Sequence, residues 1–79
     1  MKKRIPLMDM KPNESGTVVE ILGDRGVHNR LKGFGIRNGV EVSKANKIST
    51  RGPVILHIGG SQTALGTGVA YKVIIEVER

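Results

Sequence analysis

Asn29-Arg30-Leu31-Lys32-Gly33-Phe34-Gly35-Ile36-Arg37-Asn38-Gly39-Val40-Glu41-Val42 reads as the end of a helix, a glycine stop, a tight turn and the start of a strand. Val27, Leu31 and Phe34 recur at i, i+4 and i+7, one face of a helix expected over residues 24 to 34. Asp24 stands where its side-chain oxygen can accept from the first free backbone N–H groups. Gly26 weakens the first turn by about 1 kcal/mol relative to alanine. Gly35 is placed to take the left-handed conformation just past the last turn, which lets Ile36 fold back on Leu31. Asn38-Gly39 supplies the next bend. Val40, Val42 and Ala45 then alternate with Glu41 and Lys44, a strand pattern. The stretch is a packing device and carries no catalytic group.

Working outward, Pro6 to Pro12 reads as an extended lead-in with Leu7 and Met10 as buried anchors, and Lys2-Lys3-Arg4 before it as a solvated tail. Asn13-Glu14-Ser15-Gly16 is turn chemistry. Thr17 to Leu22, rich in β-branched residues, is the first strand. Ile48 to Pro53 is a loop, Val54 to Ile58 a strand with Val54, Leu56 and Ile58 on one face, and Gly59-Gly60 a tight reversal into a strand over Ser61 to Leu65. Gly66 to Tyr71 can hold one helical or 3₁₀ turn. Val73, Ile75 and Val77 alternate with Lys72, Glu76 and Glu78 in a last strand, where Ile74 interrupts the polar side. Five short strands, one short helix and 11 glycines for corners and bulges predict an all-β fold, a small barrel with one short helix. Its expected core is Val19, Ile21, Leu31, Phe34, Val42, Leu56, Ile58, Val73 and Ile75. No repeat or linker divides the chain, so residues 1–79 are expected to form a single domain.

Composition narrows the function classes. The net charge of +6 suits an acidic protein face, nucleic acid or anionic lipid. With no cysteine, thiolate catalysis and cysteine metal sites are excluded. Ile5-Pro6-Leu7-Met8 is too short for an export signal, and no apolar run nears the ~18 residues of a membrane span. A cytoplasmic location is expected. The phosphate-loop and dinucleotide glycine patterns are both broken: there is no Gly-Lys pair, and Gly33-Phe34-Gly35 and Gly66-Thr67-Gly68 end in Asn38 and Tyr71. The serines lack a local histidine, and the carboxylates form no dyad, so no enzymatic activity is expected. His28 and His57 are the candidate metal ligands, but they fall in different elements, and both read more simply as surface histidines. Met8 and Met10 read as packing rather than as a thioether site. Single-strand nucleic-acid binders stack bases on exposed rings. Here the only rings of that kind are Phe34 and Tyr71, with Phe34 assigned to the core.

Taken together, Leu7-x-x-Met10-Lys11-Pro12, Gly16-x-x-Val19-x-Ile21, Arg30-Leu31-x-x-x-Gly35-Ile36-x-x-Gly39-x-x-Val42, Gly52-Pro53-Val54, Gly60 and Ala70 followed by Ile74 or Ile75 resemble the FeoA family. This is the small cytosolic component of ferrous-iron uptake in bacteria and archaea. Asn13 departs from the glycine usual there, and Lys47 to Thr50 lacks the usual proline. The resemblance implies an SH3-like β-barrel and a non-enzymatic accessory of iron transport that acts on FeoB, a membrane transporter with a cytosolic GTPase domain. It also brings in transition-metal binding, by analogy with barrel domains appended to metal-dependent repressors, with ferrous iron as the implied ion. No cofactor is evident from the residues themselves. The exposed side of the helix and the turn after it, with Arg25, Asn29, Lys32 and Arg37, are the expected partner-binding residues. The alternative reading is a small basic nucleic-acid-binding barrel of the same fold; a third is a freestanding metal-sensing domain.

Overall fold

The computed structural model describes residues 1–45 and 52–79. Along the chain run β1 (Lys2–Pro6), a 3₁₀ turn (Leu7–Asp9), β2 (Ser15–Ile21), α1 (Arg25–Gly33), β3 (Glu41–Lys44), β4 (Val54–Ile58), β5 (Ser61–Leu65), α2 (Thr67–Ala70) and β6 (Val73–Glu78). The strands form one six-stranded sheet in the order β1-β6-β2-β3-β4-β5, with every neighbouring pair antiparallel. Val18, Val42, Leu56, Leu65, Ile75 and Val77, from β2 through β6, meet in one buried cluster with Leu31 and Ile36. A single sheet brings these residues together only by curling around them, which is the barrel arrangement. The 3₁₀ turn and α2 contribute Leu7 and Ala70 to the same cluster, both fully buried.

The helix caps follow the sequence. Asp24 accepts a hydrogen bond from the Val27 N–H at 3.0 Å. At the other end the Gly35 N–H donates to the Lys32 carbonyl and the Ile36 N–H to the Leu31 carbonyl, both at 2.9 Å, the two-bond glycine stop. Gly35 has φ +82° and Ile36 is fully buried. A Cβ on Gly35 would meet only Ile58 Cγ2 at 4.0 Å, so the obstacle there is backbone conformation rather than space. Gly35→Ala is therefore expected to lower unfolding stability by roughly 1 kcal/mol or more, read from the urea midpoint at unchanged slope. Asn13 has φ +67°, a conformation that asparagine tolerates.

Several expectations are corrected. Lys2-Lys3-Arg4 is not a solvated tail but most of β1, paired with β6 in the register Lys2 to Glu78 and Arg4 to Glu76. The sheet accordingly has six strands rather than five. In β2, Val18 is buried and Val19 only half-buried. The register of β2 on β6 shifts between Val18 and Glu20, so Val19 is the extra residue of a bulge. The bulge lets Val18 and Ile21 both turn inward, which plain alternation forbids. Ile21 and Ile58 are half-buried against the core, and Phe34 lies outside it, 44% exposed. Leu31, Val42, Leu56, Val73 and Ile75 are buried as expected. The strands over Val54–Ile58 and Ser61–Leu65 and the turn at Gly59-Gly60 stand as read. Of the loop expected over Ile48 to Pro53, residues 48–51 lie outside the described residues.

A polar clamp joins the two ends of the described fold. Arg79 Nε donates to Glu14 Oε2 at 2.9 Å, and its Nη2 to Glu14 Oε1 at 2.8 Å and to the Asp9 carbonyl at 3.1 Å. The Lys11 N–H donates to the same Glu14 Oε1 at 2.8 Å. Chiefly through the Arg79 hydrogen bond, Glu14 is held at a pKa of about 2, below its ordinary 4.5. A depressed carboxylate contributes stability in full above its unfolded value and loses it as pH falls through the folded one. The melting temperature is thus expected to drop more steeply between about pH 4.5 and 2 than that of Glu14→Gln, and equal slopes would remove the clamp from the stability account.

Candidate functional site

The charges of this chain are sorted in space. Glu76 pairs with Lys2 at 3.7 Å and Arg4 at 3.5 Å, and Glu14 with Arg79 at 2.8 Å. These ion pairs gather β1, β6 and the turn before β2. Between Asp24 and Glu41, by contrast, the chain has no carboxylate, yet it carries Arg25, Arg30, Lys32 and Arg37. All four cations are exposed. None has an ion-pair partner among the described residues. Val27 and Leu31 turn α1 toward the core, and at 100° per residue this points Arg25, Asn29 and Lys32 the opposite way. Arg25, His28, Asn29 and Lys32 line a shallow open depression of ≈ 370 Å³ together with Gly23 and Asp24. The structure therefore brings Arg25, Asn29 and Lys32 onto one patch. Arg37 lies beyond the helix stop, ahead of the Asn38-Gly39 bend.

Two large apolar side chains are exposed next to the ends of α1. Phe34 is 44% exposed just after α1, and Leu22 is 43% exposed just before it. The Leu22 N–H donates to the Lys72 carbonyl at 2.7 Å, which sets Leu22 beside the segment of exposed Tyr71. Among the described residues the only other large exposed apolar side chain is Met1. Both aromatic rings are thus open to solvent, and the expectation that assigned Phe34 to the core is overturned. Arg30 is exposed on α1, with no ion pair among the described residues.

The histidines stay apart. His28 lies in the depression on α1, whereas His57, on β4, lines a different one with Ser15, Glu41 and Ser43. Among the described residues no group of three or more His, Cys, Asp or Glu side chains is placed to hold a metal ion. His28 and His57 do not fit a shared resident iron site. No helix of the described residues is long and apolar enough to cross a membrane.

A curled antiparallel sheet with a short capped helix packed on its core defines a small SH3-like β-barrel. The model of the FeoA domain matches residues 5–77, and the chain belongs to that family. A crystal structure of an iron uptake regulatory protein (FeoA) is 30% identical, with a TM-score of 0.85 over 95% of this chain and 99% of that one. A FeoA-like protein from Clostridium acetobutylicum is 24% identical, with a TM-score of 0.84 over 100% of this chain and 92% of the other. A manganese-dependent transcriptional repressor is 16% identical, with a TM-score of 0.85 over 99% of this chain but 44% of its own length. These last two likenesses bear on the fold alone. No curated protein sequence matches the chain.

Proposed function

We propose that this protein is a non-enzymatic cytoplasmic accessory of ferrous-iron uptake that docks, through the exposed face of α1 and the turn after it, on the cytosolic part of a FeoB-type membrane transporter. Membership of the FeoA domain family supports the link to iron uptake. The observation that carries the docking surface is the distribution of charge. The carboxylates of β6 and of the turn before β2 are engaged in ion pairs, while Arg25, Arg30, Lys32 and Arg37 are left together on a stretch with no carboxylate. Unpaired surface cations gathered on one element attract a complementary acidic face and speed its encounter.

The test is binding of the purified chain to the transporter in lipid nanodiscs, measured as a function of salt, alongside iron uptake in cells lacking this protein. Association is expected to be saturable, to weaken as salt rises toward ~1 M, where the screening length shrinks to about 3 Å, and to accompany a loss of uptake in the deletion strain. Absence of binding at low salt, or normal uptake in the deletion strain, counts against the proposal.

A further inference from the structure

We infer that the free edge of β5 pairs with the same edge of a second copy of this chain, antiparallel and about a two-fold axis. The sheet order leaves two outer strands, β1 and β5. An edge strand is a ready template for another strand, and proteins guard such edges with charge and proline. β1 is guarded, because Lys2, Lys3, Arg4 and Pro6 fill all but one of its positions. β5, Ser61-Gln62-Thr63-Ala64-Leu65, has neither a charge nor a proline.

The hairpin fixes which backbone groups face the free edge. Gly59-Gly60 is a two-residue loop, and Ile58 and Ser61 lie opposite each other across it. The residues that flank such a loop exchange hydrogen bonds, and along an antiparallel pair bonded and non-bonded positions alternate. Thr63 and Leu65 therefore bond back to their partners in β4, Leu56 and Val54. Gln62 and Ala64 turn their N–H and C=O groups the other way, to the free edge. Both residues are exposed, and no partner for these groups occurs among the described residues.

Charge selects the occupant. From Gly52 to Tyr71 the chain carries no Asp, Glu, Lys or Arg, although these make up 25% of it. An acidic protein face, a nucleic acid or an anionic membrane finds no lysine or arginine here to recognise. Two copies that each carry +6 can meet along this stretch without setting like charges against each other. The strand is also self-complementary. With Thr63 on the axis, Gln62 of each copy faces Ala64 of the other, and each such pair exchanges both N–H···O bonds. Thr63 meets its own counterpart, a favourable cross-strand pair. A contact of this length buries less than the ~1,200–2,000 Å² of a standard interface, so the dimer is weak and its population follows concentration.

The test uses the chain alone, so its outcome is independent of docking on the transporter. Sedimentation equilibrium and backbone amide exchange are followed from ~10 μM to ~1 mM, the range in which so small a contact dissociates. A monomer–dimer equilibrium is expected, with the Gln62 and Ala64 amides gaining protection as dimer forms. Two double variants at these exposed positions probe the pairing, and thermal melts confirm their fold. Gln62→Glu with Ala64→Glu lowers the net charge yet sets glutamate opposite glutamate across the axis. It is expected to weaken association by roughly tenfold or more. Gln62→Glu with Ala64→Lys keeps the net charge and sets glutamate opposite lysine. It is expected to associate at least as tightly as the parent. A parent chain that stays monomeric to ~1 mM overturns the proposal. So does a double-glutamate variant that associates as well as the parent, which places the contact elsewhere, and so does equal weakening of both variants. If the parent stays monomeric and the two amides are protected only on adding the transporter's cytosolic part, the occupant is a partner's strand and not a second copy.

Discussion

Gly16→Ala is expected to destabilise this protein by at least ~2 kcal/mol, because a methyl group there has no room. Gly16 lies in β2 opposite Val77 of β6 and Val42 of β3. A Cβ built there overlaps Ile75 Cγ2, and it comes within 2.7 Å of the Glu76 carbonyl oxygen and 2.9 Å of Val77 Cγ1. None of these atoms can give way cheaply. Ile75 and Val77 are β-branched, with few rotamers, and both are buried in the main cluster. The Glu76 carbonyl belongs to the backbone of a strand paired on both sides. Relief therefore requires β2 and β6 to part, along the seam that joins β1 and β6 to the rest of the sheet. For a domain of this size, total stability on the order of 4–12 kcal/mol makes such a loss a large share. Urea unfolding at constant slope measures it, and a midpoint equal to that of the unaltered protein would show that the two strands do not approach this closely.

Gly16 also marks where sequence reading stopped. The sequence offered it as part of a turn before the first strand, because a glycine after Asn13-Glu14-Ser15 looks like turn chemistry. Its function is set by what lies across from it, Ile75 and Val77, far along the chain. The same limit explains β1. Lys2-Lys3-Arg4 alone is indistinguishable from a solvated tail, since the partners that make it a strand, Glu76 to Glu78, are at the other end of the chain. The Glu14–Arg79 clamp left no local trace for the same reason.

Local features fared differently. The Asp24 cap, the Gly35 stop and the hairpin through Gly59-Gly60 each depend on residues within a few positions of one another, and each stands where the sequence placed it. Errors arose where a local irregularity moved a periodic pattern. The bulge at Val19 reassigned the inward position in β2, and the end of α1 at Gly33 put Phe34 outside and Ile36 inside. For the candidate site, the cations of α1 were legible because charge is read directly. The solvent exposure of Phe34 was not, because periodicity gives a residue's face only while the helix lasts.

Reversing charge on the helix surface is expected to have the largest effect on partner binding. Lys32→Glu and Arg37→Glu change exposed side chains that make no ion pair among the described residues, so stability should stay within about 0.5 kcal/mol of the parent. Against an acidic face, each reversal replaces an attraction by a repulsion. Charges at the edge of an interface act chiefly on the rate of association and on its salt dependence. Together the two substitutions are expected to slow association with the cytosolic part of the transporter by tenfold or more at low salt, with the difference closing as salt rises. Lys3→Glu separates a local effect from a global one. It makes the same change in net charge as Lys32→Glu, but on β1, at the edge of the sheet that lies next to β6. If steering came from the overall charge of +6, Lys3→Glu and Lys32→Glu would slow association equally. A docking surface on α1 requires Lys32→Glu to be the slower by a clear margin. It also requires the double variant to lower ferrous-iron uptake in cells while the Lys3 variant sustains it.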